Sequence, residues 1–254
     1  MNDYDFFYQL KWPDGFRCPR CGHHRAYTIR TRSMPLYQCH LCRHQTTLIA
    51  GTVMERSRIP LDRWAAAIRL MSGPAGVNGV QLSRLAGLTY KTALAIQRKI
   101  RVAISNLDAK QKLTGLVHAG LAFYGRTYFH FCIRHPQEHP VIVGASDRYV
   151  KIKTVPLSHM KGKGLHRSGI EDFAWKHSRY EVRFFNPFEF AKYPKLRNRF
   201  RVAQAWINRT FHGIGATYLQ LYLDEHCFRV NAAERQIPNA WFSLCVNPTR
   251  DIFA

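Results

Sequence analysis

The residues best suited to chemistry in this 254-residue chain are two Cys-x-x-Cys pairs, Cys18 with Cys21 and Cys39 with Cys42, with seventeen residues between the pairs. They take four of its seven cysteines. Two cysteines three apart on a tight turn aim both sulfurs at one point, and two such turns make a tetrahedral thiolate site for Zn²⁺. Four thiolates leave no position for a substrate, so the metal is structural. Pro19, Arg20, Gly22, His40 and Leu41 fit the knuckle turns. Tyr27, Ile29 and Tyr37 favour a short hairpin between them. A ribbon of roughly 35 residues buries too little apolar surface to fold alone, whereas zinc contributes about 10–16 kcal/mol. The competing reading is a redox dithiol or a disulfide. Against it, the N-terminal stretch MNDYDFFYQLKWPD is mixed polar and aromatic, which favours a reducing cytosol. His23, His24, His40 and His44 are read as residues near the site, and Cys132, Cys227 and Cys245 as small packed hydrophobes.

The bulk charge narrows the partner. At +22, with 18 Lys/Arg against 6 Asp/Glu in residues 1–112 and 20 against 10 in 113–254, the chain repels itself unless it meets a polyanion. Nucleic acid is the expected partner. A membrane fits less well, because no run of about 18 apolar residues exists and no helix pairs a continuous basic face with an exposed aromatic one. The expected location is cytoplasmic, associated with the nucleoid when DNA is bound.

The elements that must hold these groups follow in order. Residues 1–15 read as a short helix and a turn at Trp12-Pro13-Asp14-Gly15. After a connector from Gly51, LDRWAAAIRLMS places Leu61, Trp64, Ala65, Ile68 and Met71 or Leu70 on one helical face. Residues 79–104 then read as a helix-turn-helix. Val80, Leu82 and Leu85 line a first helix, Gly87 is the left-handed turn residue, and Thr89 opens a second helix with Ala93, Leu94, Ile96 and Ile100 inward. A second helix so placed enters a major groove of duplex DNA. Its outward candidates are Thr89, Tyr90, Lys91, Thr92, Gln97, Arg98, Lys99 and Arg101; the early ones suit base edges, and Arg98, Lys99 and Arg101 suit phosphates. The bland alternative is a helical hairpin with a solvated basic face. Residues 115–124, 127–134 and 140–155 read as three strands, 156–200 as irregular and basic with a strand near 180–185, and 201–231 as helical with Trp206, Ile207, Tyr218, Leu219, Tyr222 and Phe228 in the core. The fold class is α+β and multi-domain: residues 1–50 as helix and zinc ribbon, 51–112 as a helical DNA-binding region, 113–254 as an α/β domain.

FRCPRCG, then QC-x-x-C-R-x-Q-T, then GTVM-x-R-x-R-x-P, then LSRLAGLTYKTA together resemble the zinc-ribbon insertion-sequence transposases, bacterial relatives of the Merlin elements. The similarity is close over the first 105 residues and weaker beyond, where FHGIGATYLQLYLDEHCFRVN resembles that family's closing stretch. The resemblance implies a ribonuclease-H-like domain after residue 113, whose acidic residues hold two Mg²⁺ ions for DNA cleavage and strand transfer.

The chain departs from that pattern. The family's first catalytic strand reads Gly-x-Val-Glu-x-Asp-Glu-Thr-Tyr, but Gly120 stands here at the Asp, His118 at the first Glu, and Arg201 at the third acidic position after Asn198-Arg199-Phe200. The nearest match to the middle acid is Ser168-Gly169. A Gly offers no oxygen to Mg²⁺ and an Arg repels it. The expectation is therefore no catalytic residue, structural zinc without magnesium, and duplex DNA as partner, with the second half supplying a backbone-gripping surface or the contact of a homo-oligomer. Two alternatives stay open: an active enzyme whose site is rebuilt from Asp147, Asp172, Asp224 or Glu225, and an RNA-binding or transcription-associated ribbon using Tyr27, Tyr37, Arg30 and Arg32.

Overall fold

A computed structural model describes residues 2–30, 34–126, 132–147 and 149–253. The chain forms two compact units, residues 1–103 with 238–254, and residues 104–237. The expected division at residue 113, with one domain running to the end, is not the one observed: the last stretch packs with the N-terminal unit. Its helix Ala240–Val246 sets Phe242 edge-on to Phe6 at 5.0 Å, and Cys245 O accepts from Val53 N at 2.9 Å.

The first unit opens with helix α1, Asp3–Lys11, whose Asn2 side chain caps Asp5 N at 2.8 Å. Its aromatic residues serve the ribbon. Tyr8, Trp12 and Phe16 surround Tyr37, with ring centroids 5.1–5.9 Å apart, and Tyr4 bonds the Tyr37 hydroxyl. Tyr37 is thus core, and the expectation that it stacks on a base is overturned. Arg32 lies outside the described residues. The ribbon is a three-stranded antiparallel sheet of β1 (Ala26–Ile29), β2 (Leu36–Cys39) and β3 (Gln45–Thr47), one strand more than the expected hairpin. Lys11 Nζ ties α1 beneath it by donating to the Leu48 and Ala50 carbonyls at 2.8 and 2.5 Å.

Two helices and the first part of a third follow in this unit. Helix α2 is Leu61–Ser72, with Trp64, Ala65, Ile68 and Met71 buried as the periodicity predicts. Helix α3, Gly79–Ala86, begins with a reciprocal capping box between Asn78 and Gln81. It ends at Gly87 (φ 60°), and helix α4, Tyr90–Lys110, follows.

The second unit is built on a four-stranded sheet. Strands β4 (Val117–Tyr124), β5 (His139–Ala145) and β6 (Val150–Thr154) form an antiparallel meander, and β7 (Val182–Phe185) joins β4 in parallel, so the order is β6-β5-β4-β7. The strand expected at 127–134 falls mostly outside the described residues. Residues 140–155 divide into two strands at a turn closed by Ser146 N to Tyr149 O, 2.9 Å. Helix α5, Arg167–His177, lies before β7; α6 (Pro187–Lys192), α7 (Pro194–Phe211) and α8 (Ala216–Glu234) come after it. Alternation along the strands divides the core in two. Val117, Ala119, Leu121 and Ile142 pack with Phe173 of α5. Ala122, Tyr124, Val143 and Ile152 pack with Phe190, Leu196, Phe200, Leu219 and Leu223 of α6 to α8. Tyr218, expected in the core, is 56% exposed.

Candidate metal centre and nucleic-acid interface

The ribbon folds each Cys-x-x-Cys into the same turn. In the first, Gly22 N donates to Cys18 O and Cys18 N to His23 O, both 2.9 Å; in the second, Arg43 N donates to Cys39 O at 3.1 Å and Cys39 N to His44 O at 2.9 Å. The residue after each second cysteine is left-handed, Gly22 at φ 73° and Arg43 at φ 58°. Strand β2 delivers Cys39 opposite Ala26. All four sulfurs lie within 4.8 Å of one another, with Cys18 to Cys42 and Cys21 to Cys39 at 3.6 Å. Tetrahedral Zn–S bonds of about 2.3 Å require edges of about 3.8 Å. The cluster therefore fits zinc, held by Cys18, Cys21, Cys39 and Cys42, and the histidines are not needed. Among the described residues it is the one group of three or more His, Cys, Asp or Glu side chains close enough to share an ion. Of the other cysteines, Cys227 and Cys245 are buried as expected, but Cys132 is exposed.

Helices α3 and α4 meet across a tight turn. Leu88 N and the Ser83 hydroxyl donate to Ser83 O and Leu88 O, at 2.9 and 2.7 Å, and Arg63 Nη1 of α2 donates to Ala86 O at 2.6 Å. Gly87 takes its left-handed backbone at little cost, and Arg63 Nη1 lies 2.2 Å from where a β-carbon would project. Thr89 caps α4 by accepting from Thr92 N at 3.2 Å, and the two hydroxyls bond at 2.8 Å. Tyr90, Lys91 and Arg98 are exposed; Lys99 is exposed too, with Nζ donating to Glu55 O at 2.8 Å.

Two candidates turn inward. Gln97 is buried and donates to Val77 O at 2.8 Å, and Arg101 is buried as well. Both lie on the face carrying Ala93, Ile96, Ile100 and Ile104, which is wider than the apolar residues alone indicate. Conversely Val80, Leu85 and Leu94, expected inside, are 49, 66 and 39% exposed. Leu94 and its exposed neighbour Ala95 are the residues the sequence reading missed on the outer face. The available signal was spacing, since they stand three or four residues from Lys91 and Arg98.

Gly120 faces the α6–α8 side of the sheet, where a β-carbon would fall 2.3 Å from Phe190 Cδ2. A rigid ring, not a flexible chain end, fills the space beside Gly120, the residue expected from the resemblance to stand where a carboxylate would be. His118 nearby stacks on Phe185 at 5.6 Å and lies beside Tyr193 at 5.2 Å. Ser168 and Gly169 open α5 on the opposite face, so they cannot join Gly120 in one site. Arg201 is exposed on α7. The nearby acids are engaged separately: Glu171 with Arg167 at 2.9 Å, Asp172 with Lys176 at 2.8 Å, Glu225 with Arg229 at 3.2 Å.

Asp224 belongs to a buried network at the β6 edge. Lys153 Nζ bridges Asp108 at 2.5 Å and Asp224 at 2.6 Å, Lys151 reaches Asp108 at 2.9 Å, and the Ser105 hydroxyl donates to Asp224 at 2.8 Å. Burial opposes the charge on Lys153, but the two carboxylates outweigh it and raise its pKa. This is a paired structural set rather than a vacant metal site.

Residues 2–45 match the family model described as the transposase zinc-ribbon domain. No curated protein and no solved structure matches the chain. The N-terminal segment is therefore similar to a transposase zinc ribbon, which points to structural zinc and to DNA binding. Among the described residues, no helix is long and apolar enough to cross a membrane. The positive charge is shared: 17 Lys/Arg against 6 Asp/Glu in the first unit, 21 against 10 in the second.

Proposed function

We propose that this is a transposase-derived protein that recognises duplex DNA through its zinc ribbon and the α3–α4 helix-turn-helix, without strand-transfer chemistry. The observation that carries it is the coexistence, in one chain, of a four-sulfur ribbon of transposase type with a Gly120 position closed by Phe190. The meander with a fourth strand parallel to the first, β6-β5-β4-β7, supports the ribonuclease-H-like reading of the second unit. Its residues do not fit two Mg²⁺ ions, because Gly120 offers no ligand, Asp172, Asp224 and Glu225 are paired with Lys or Arg, and Asp147 is not grouped with other acids among the described residues. The second unit then acts through its charge, gripping backbone phosphates or holding a second copy of the chain.

The test is a cleavage and joining assay. Full-length zinc-loaded protein is incubated with Mg²⁺ or Mn²⁺ and duplexes from the borders of its own gene. Retarded duplex without nicks or joined products is expected; metal-dependent products would revive the enzyme. The ribbon-on-RNA reading keeps one feature, the exposed Tyr27 stacked on His40 at 3.8 Å with Arg43 beside it at 6.0 Å. Stronger binding to single-stranded RNA than to duplex DNA would favour it.

A further inference from the structure

The outer face of α4 is not simply basic. Residues three and four apart on a helix stand side by side, so Tyr90, Leu94 and Arg98 form one row and Lys91, Ala95 and Arg98 the next. All five side chains are exposed, Leu94 to 39% and Tyr90 to 54%. The result is an apolar step, Leu94 with Ala95, set between a tyrosine and lysine on the N-terminal side and an arginine on the other.

The core of the motif does not need that step. Leu82, Ala86, Ala93, Ile96 and Ile100 are each at most 1% exposed and already fill the space between the helices. Nor is Leu94 free to fold away. Gly79, at the start of α3, comes so close that a β-carbon there would lie 2.7 Å from Leu94 Cδ2 and 3.0 Å from Tyr90 Cε2. The two side chains are braced by bare backbone from behind and keep their outer surfaces in solvent. In a major groove the one apolar group offered at the base edges is the thymine 5-methyl, while arginine and lysine serve guanine or phosphate.

We infer that Leu94, with Ala95, is a specificity-determining contact that reads a thymine methyl group in the bound duplex, flanked by the cations Lys91 and Arg98. This rests on the duplex-reading proposal above and deepens it, by assigning the chemistry that part of the site recognises.

The experiment uses full-length zinc-loaded protein and a random pool of duplexes, from which the tightest binders are selected against competitor DNA. Each thymine of a selected duplex is then replaced by uracil, which removes only the methyl. At one or two positions affinity should fall about fourfold, the value of one buried methyl group. Leu94→Ala should abolish that difference, and so should Leu94→Gln, which keeps length and helix propensity. The dependence of affinity on salt should stay as in the parent. Uracil tolerated at every position, or a methyl effect that survives both substitutions, would overturn the inference while leaving duplex binding intact. Failure to bind any duplex would overturn the broader proposal, and this one with it.

Discussion

At the scale of single residues, the two knuckles differ in one atom group that matters. Gly22 adopts its left-handed backbone at little cost, whereas Arg43 holds φ 58° with a β-carbon in place. Arg43→Gly should therefore raise the unfolding free energy of the zinc-loaded protein by up to about 1 kcal/mol, read by denaturant titration. A loss would mean that the Arg43 contact with Tyr27 outweighs the backbone term. Gly120→Asp gives the opposite sign. The added side chain meets Phe190, so overpacking of about 1–3 kcal/mol is expected without any gain of Mg²⁺-dependent cleavage. The cysteine spacing was legible because a metal site is local and leaves its stoichiometry in the sequence. Leu94, Gln97 and Arg101 were not legible. A helix long enough to be buried on a broad arc breaks the rule that polar residues point out, and only the neighbouring helices decide which Leu and which Gln face them.

At the scale of elements, strand β6 is tied to α8 both by the apolar packing of Ile152 on Leu219 and Leu223 and by charge, with Lys153 between Asp224 of α8 and Asp108 of α4. Lys153→Met removes the cation from two buried carboxylates and should cost about 3–5 kcal/mol, measured by urea unfolding of the second unit. A change below about 1 kcal/mol would show that the network is solvated. Protons act on the same unit. Burial, with Lys153 and Lys151 adding to it, lowers the His177 pKa to about 4, and burial with Arg229 and Arg199 does the same at His226. Unfolded histidine titrates near 6.5, so between those values the unfolded chain holds more protons. Stability is complete above about pH 6.5 and is lost as pH falls toward 4, and His226→Gln should flatten roughly half of that decline. A thermal midpoint independent of pH across this range would contradict the burial of both rings. Strand existence was legible here from β-branched runs, and so was the β5–β6 boundary. The break was in fact written in the sequence, since Gly144, Ser146 and Asp147 interrupt the strand formers of Val141 to Val155, but a single-strand reading of 140–155 runs past it.

At the scale of the whole molecule, the two units carry the same net charge by different means, one organised by sulfur and aromatic residues and the other by a sheet with two cores. Metal dependence should be confined to the first. Chelation, or Cys39→Ala, should unfold the ribbon and expose residues 1–103 to protease while residues 104–237 stay protected. Equal protection of both units without zinc would contradict the assignment. That residues 238–254 return to the first unit was not legible, because Phe242 and Cys245 find partners more than 190 positions earlier in the chain, and no periodic pattern records a contact so distant. The measurement that bears most directly on the central claim is a salt titration of duplex DNA binding by the full-length zinc-loaded protein. Log affinity should fall linearly with log salt, with a slope of about −0.9 for each phosphate neutralised, and removing zinc should abolish selective binding. Affinity unchanged by salt, or full selectivity after chelation, would contradict the account.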